Sequence, residues 1–110
     1  MILGVFALSG VAQAAVTPIK LDAEVGPGSN ITLKKGSRLV TTLKVGTYII
    51  TVRDRARTHN FHLVGPRVNK STAVSRIETK TWTVSLRAGT YTYLCDPHAG
   101  FMKRTVKVTR

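Results

Sequence analysis

The chain has 110 residues, with 17 Lys or Arg against five acids and a formal charge of +12 at pH 7. A chain of this size allows one domain with one modest core, and its single cysteine, Cys95, excludes an intrachain disulfide. Such a charge raises nucleic acid as a partner, but the few aromatics stand apart from the basic residues. The reading is therefore no nucleic acid, and a basic surface suited to an acidic protein or to loose association with an anionic envelope surface.

Residues 1–16, MILGVFALSGVAQAAV, carry no charge. This apolar run is shorter than the roughly 20 residues a spanning helix needs. Ala12-Gln13-Ala14 supplies an A-x-A cleavage site of the secretory kind, although no Lys or Arg precedes Lys20. Residues 1–14 thus read as a truncated signal peptide and residues 15–110 as a single domain. The expected location is exported: a bacterial periplasm, the extracellular space or the cell envelope.

From there the pattern is of strands. IKLDAEV (19–25) is followed by the turn GPGS, NITLKK (30–35) ends at Gly36-Ser37, and RLVTTL (38–43) makes a shorter third strand. GTYIITVRD (46–54) puts Tyr48, Ile50 and Val52 on one face, and Arg53, Arg55 and Arg57 continue as an alternating basic stripe. HNFHLVG (59–65) stops at Pro66, and NKSTAVSRIE (69–78) is the one place for a short helix. TKTWTVSL (79–86), TYTYLC (90–95) and KRTVKVT (103–109) complete about eight short strands, which predicts an all-β Greek-key sandwich with at most one helical turn. LKVGTY (43–48) and LRAGTY (86–91) are near-repeats that read as two equivalent sheet corners.

Chemistry concentrates in YLCDPHAGFMKR. Cys95, His98 and Met102 bring thiolate, imidazole and thioether into one short loop, with Pro97 constraining it and Gly100 letting it turn tightly. Thiolate, imidazole and a weak axial thioether are an electron-transfer copper set once a second imidazole joins them. HNFH offers His59 and His62, which face opposite ways on a strand; His59 shares a face with apolar Phe61 and is the expected ligand. His62 is left as a surface or supporting histidine.

HNF, the GTYTYLC strand and CDPHAGFM, in that order, resemble the cupredoxins, the small type 1 blue copper proteins of the plastocyanin, amicyanin and pseudoazurin kind. The resemblance covers essentially the whole chain after the leader. It implies one copper ion held by His59, Cys95, His98 and, axially, Met102. It also implies that Asn60 ties the two ligand-bearing segments together. The chain departs from the pattern in two ways. The His98-to-Met102 spacing lies between those of amicyanin and plastocyanin, and Arg104 stands where many relatives have Gly.

By the same resemblance the protein is an exported one-electron carrier, a monomer whose basic surface steers an acidic redox partner to Ala99, Gly100, Phe101 and Arg104 around His98. The alternative is a domain that holds, delivers or senses copper, although Met102 is the only methionine beyond the initiator. An enzyme is not expected. A Cys–His nucleophile lacks its other parts, and a second copper centre needs more histidines than His62 alone.

Overall fold

A computed structural model describes residues 17–110; the expected leader, residues 1–14, lies outside them. Side chains alternate in and out along each strand, as the pleat requires. In β1 (Ile19–Val25), Leu21, Ala23 and Val25 are buried. β5 (Gly46–Asp54) buries Tyr48, Ile50 and Val52, then ends on a buried Asp54. β8 (Glu78–Leu86) buries Trp82, Val84 and Leu86. β9 (Gly89–Leu94) turns Tyr91 and Tyr93 inward, and β10 (Lys103–Thr109) turns in Val106 and Val108.

Shorter strands complete the architecture: β2 (Ile31–Lys35), β3 (Arg38–Leu39), β4 (Thr42–Lys44), β6 (His62–Gly65) and β7 (Val68–Ser71). One five-stranded sheet has the order β3-β2-β1-β5-β8 and the other β4-β10-β9-β6-β7. Each is mixed, with one parallel pair, β1 with β5 and β10 with β4. Their apolar faces meet in one core, making a two-sheet sandwich. Phe61 stacks on Tyr93 with ring centroids 5.2 Å apart and tilts against Trp82 at 6.3 Å. The Tyr93 hydroxyl accepts the Leu33 N–H from the opposite sheet at 3.2 Å.

The near-repeats are corners, one in each sheet. β5 and β9 both open at a glycine of positive φ, Gly46 at 156° and Gly89 at 147°. Tyr48 donates its hydroxyl hydrogen to the Lys44 carbonyl at 2.6 Å. Tyr91 accepts the Arg87 N–H at 2.9 Å and donates to the Pro66 carbonyl at 3.1 Å. Each tyrosine thus bonds the backbone four residues before it, the arrangement known from sandwich corners.

Three expectations need correction. RLVTTL is not one strand: β3 and β4 lie in different sheets, so the chain crosses the sandwich there, and about eight strands become ten among the described residues. Residues 69–78 form no helix, because Val68–Ser71 pairs antiparallel with β6 and turns follow; tertiary pairing overrides a weak local preference. The strand expected over 59–65 begins only at His62, leaving 59–61 irregular. The one helical piece among the described residues is the 3-10 turn Asp96–His98.

Candidate metal centre

Cys95 continues β9 directly, and the inward side of that strand carries it into the core, where it is fully buried. The loop after it folds on itself. Cys95 donates its N–H to the Met102 carbonyl at 3.0 Å, His98 donates to the Cys95 carbonyl at 3.0 Å, and Met102 donates to the His98 carbonyl at 2.8 Å. Pro97 lies within the 3-10 turn, where its fixed φ suits the geometry and its missing donor costs nothing. Met102 ends the loop buried, 1% exposed.

His59 arrives from the irregular segment after β5, and that segment is held by side chains. Phe61 donates its N–H to Thr72 Oγ1 at 2.9 Å, and Thr72 donates its hydroxyl hydrogen to Asp54 Oδ2 at 2.7 Å. The Thr72 N–H returns to the Phe61 carbonyl at 3.0 Å. Burial pushes the Asp54 carboxyl above the usual carboxylate range; bonds from Thr72 and Ala56 oppose the shift, Glu78 adds to it and His59 opposes it. Gly26 walls the other side. A Cβ there would lie 3.0 Å from Ala56 Cβ and 3.3 Å from His59 Cδ2, and its φ of 75° already favours glycine.

His59, Cys95 and His98 come together as a cluster able to hold a metal. Cys95 Sγ lies 3.6 Å from His59 Nδ1 and 3.4 Å from His98 Nδ1, and the two Nδ1 atoms are 3.1 Å apart. A point equidistant from these three atoms is about 2.0 Å from each, the length of a metal–imidazole bond. Two nitrogens and a sulfur converging at that spacing fit a borderline-soft transition metal. Met102 is tied to both Cys95 and His98 through its backbone. The donor set fits copper.

Around the cluster is a second layer of bonds. Asn60, buried, donates from Nδ2 to Asp96 Oδ2 at 2.9 Å, and its Oδ1 accepts the Asp96 N–H at 2.8 Å. This joins the neighbour of His59 to the neighbour of Cys95. His62 lies outside the cluster, with Nδ1 2.9 Å from Asp96 Oδ1 and Nε2 2.6 Å from Asn69 Oδ1. Burial pulls the His62 pKa down, but the bonds to Asp96 and Asn69 and the Asp96 charge outweigh it and leave the pKa raised. Burial pushes Asp96 up, and the His62 and Asn60 bonds with the His62 charge outweigh that, so its pKa is lowered.

His59, Asn60 and Phe61 are all buried in succession, so strict strand alternation does not govern this segment. The residues that fix it, Asp54, Thr72 and Asp96, carry no local signal of their role: their partners lie 11 to 36 residues away. On the surface beside His98, Phe101 is 66% exposed, with its ring 5.5 Å from the imidazole. Ala99 is half-buried and Gly100 exposed. Arg104 is exposed, yet its Nε donates to the Ile31 carbonyl at 2.9 Å, tying β10 to β2.

With fold and cluster established, comparison gives the class. The family model described as copper binding proteins, plastocyanin/azurin family, matches residues 22–109. The chain belongs to that family: it is a cupredoxin, and copper is its cofactor. No curated protein sequence matches significantly. Among solved structures it is similar to rusticyanin from Thiobacillus ferrooxidans, at 21% identity and a TM-score of 0.57, over 83% of this chain and 77% of that one. A second rusticyanin structure gives a TM-score of 0.62 at 18% identity, with the same coverage. A mutant amicyanin in the Cu(I) state gives 0.52 at 23% identity, over 86% of this chain and 87% of that one. At these identities the solved structures speak for the fold alone.

Proposed function

We propose that the protein is an exported one-electron carrier whose copper is held by His59, Cys95 and His98, with Met102 as the axial ligand. The observation that carries this reading is the convergence of Cys95 Sγ and two Nδ1 atoms within 3.6 Å of one another, in a chain of the copper-binding family. Copper in such a site supplies reversible one-electron oxidation and reduction, with a potential set by the axial ligand and the surroundings of the sulfur.

The chain's own residues do the rest. The Asn60–Asp96 bonds and the Thr72–Asp54 bond hold the two ligand-bearing segments in place, and such outer bonds fix ligand orientation. Phe61, Tyr93 and Met102 keep water from the buried side. His98 faces the cluster through Nδ1 and is itself half-buried, with Ala99, Gly100 and the Phe101 ring beside it. A small patch suits the brief encounter of redox partners. Lys103 and Arg104, both exposed at its border, suit an acidic partner and would speed its approach.

The carrier reading is preferred to an enzyme because His62, the third histidine, is engaged by Asp96 and Asn69 and supplies no second copper centre. We place the protein, as a monomer, in the periplasm or on the outer side of the cell envelope, on the strength of the apolar, uncharged start ending in Ala12-Gln13-Ala14.

The test is spectroscopic. Purified protein with Cu(II) is expected to show an intense thiolate-to-copper absorption and a narrow copper hyperfine splitting, both absent in Cys95→Ala. Ordinary tetragonal Cu(II) signals, unchanged by that substitution, would reject the ligand set. Rapid electron self-exchange supports a carrier; slow exchange with transfer of the metal to an acceptor supports a copper-delivering module.

A further inference from the structure

The sandwich is polarised in charge. Asp22, Glu24, Asp54, Glu78 and Asp96 are the only acids of the chain, and none lies at the end remote from the metal cluster. Asp54 pairs in register with Glu78 and with Val25, where β1 and β5 end and β8 begins near the cluster, and Glu24 is one residue further in. Asp22, at mid-strand, bonds Arg53, and Glu24 bonds Arg55. The alternating stripe Arg53, Arg55, Arg57 is therefore largely answered: Arg57 also reaches the Ser75 carbonyl at 3.4 Å.

The opposite end is different. β10 leaves Met102 and runs seven residues to Thr109, about 20 Å at the usual strand rise. There a groove of about 930 Å³ opens, lined by Ile19, Leu39 and Leu43 and bordered by Lys35, Arg38 and Lys44, with no acid in its lining. Arg87 and Arg110 stand at the same end. Lys44 Nζ donates to the Arg110 carbonyl oxygen at 3.0 Å. Ile19, Leu39 and Val45 are each about two-fifths exposed here, at 38%, 42% and 40%.

We propose that this end is a docking face for an anionic phospholipid surface. It rests on the exported location proposed above and gives the envelope association a face and an orientation. Lys35, Arg38 and Lys44 meet the headgroup phosphates, and Ile19, Leu39 and Val45 enter the interfacial layer. Cations interspersed with exposed aliphatic side chains suit that boundary. An acidic protein is the weaker candidate, because exposed aliphatic side chains, Ile19, Leu39 and Val45, stand among the cations. Docked in this way, the protein turns His98 and Phe101 away from the lipid.

The test is sedimentation of the full chain with vesicles of equimolar phosphatidylcholine and phosphatidylglycerol, against vesicles of phosphatidylcholine alone. Binding to the anionic vesicles is expected, falling about a hundredfold in the triple variant Lys35→Glu, Arg38→Glu, Lys44→Glu, from about fivefold or more per cation. The variant Arg57→Glu, Arg76→Glu, Lys80→Glu carries the same change in net charge at the other end and is expected to bind within a few-fold of the parent. Equal loss in both variants would make the effect one of total charge and overturn the proposal. So would equal binding to both kinds of vesicle, absence of binding, or capture by DNA or an acidic protein without binding to vesicles. The copper absorption band reports folding in each variant; its absence from the parent would reject the copper ligand set and leave the vesicle result standing.

Discussion

The two ends of the sandwich are built on different principles. At the remote end, each corner tyrosine bonds the backbone of its own corner: Tyr48 bonds Lys44 and Tyr91 bonds Arg87, each four residues back, while Tyr91 also reaches Pro66. At the metal end, order is long-range: Asn60 reaches Asp96 across 36 residues and Thr72 reaches Asp54 across 18. A corner needs only to turn the chain. A metal site must hold donors from two distant segments at fixed separations, and short-range bonds cannot do that. The difference teaches where rigidity is concentrated, and substitutions can separate the two ends.

The largest effect should come from Phe61→Ala. It empties the space between Tyr93 and Trp82 next to His59, and removing a buried aromatic costs about 3–5 kcal/mol. Thermal unfolding followed by the fluorescence of Trp82, the sole tryptophan, should show a large fall in midpoint. Asn60→Ala comes next, at about 2–3 kcal/mol, because it strips partners from buried and part-buried polar groups. It should also alter the copper hyperfine splitting; a lower midpoint with an unchanged spectrum would show that the bond between segments does not orient the ligands.

Tyr91→Phe sharpens the contrast from the other end. It deletes the bonds to Arg87 and Pro66 at about 1–2 kcal/mol and should leave the copper spectrum untouched. The smallest effect is the pH dependence of the His62–Asp96 pair. His62 has a pKa raised above 6.5, so its contribution is complete below that pH and fades as pH rises through the raised value. Asp96 has a pKa lowered below 3.8, so its contribution is present above that pH and is lost as pH falls through the lowered value. The pair therefore stabilises most between these limits. Asp96 is 47% exposed, and solvent screening keeps the effect below about 1 kcal/mol. Midpoints of the parent and His62→Phe should converge as pH rises through the raised His62 pKa.

Much of the fold is written locally. β1, β5 and β10 span the residues that alternation assigns them, and the two corners are visible as a repeated hexapeptide. The cluster of His59, Cys95 and His98 is legible because ligand chemistry restricts the choice so severely. What remained hidden depends on partners far along the chain. Nothing near Thr72 announces that it supports Phe61, and nothing near Arg53 or Arg55 announces that Asp22 and Glu24 will answer them. β7 was obscured for the same reason: Asn69 and Ser71 become strand residues only because β6 lies alongside.

The corner at Gly89 also acts as a ruler. β9 is pinned there by Tyr91 and delivers Cys95 six residues later with its thiol in the core. Inserting one residue between them would turn the thiol to the opposite face. Inserting two would restore the face but displace the sulfur by about 6–7 Å along the strand, away from both imidazoles. Length changes in this strand are thus forbidden in either parity, whereas the exposed turn at Gly36 has no metal to keep in register. The spacing from glycine to cysteine is as much a part of the copper site as the ligands.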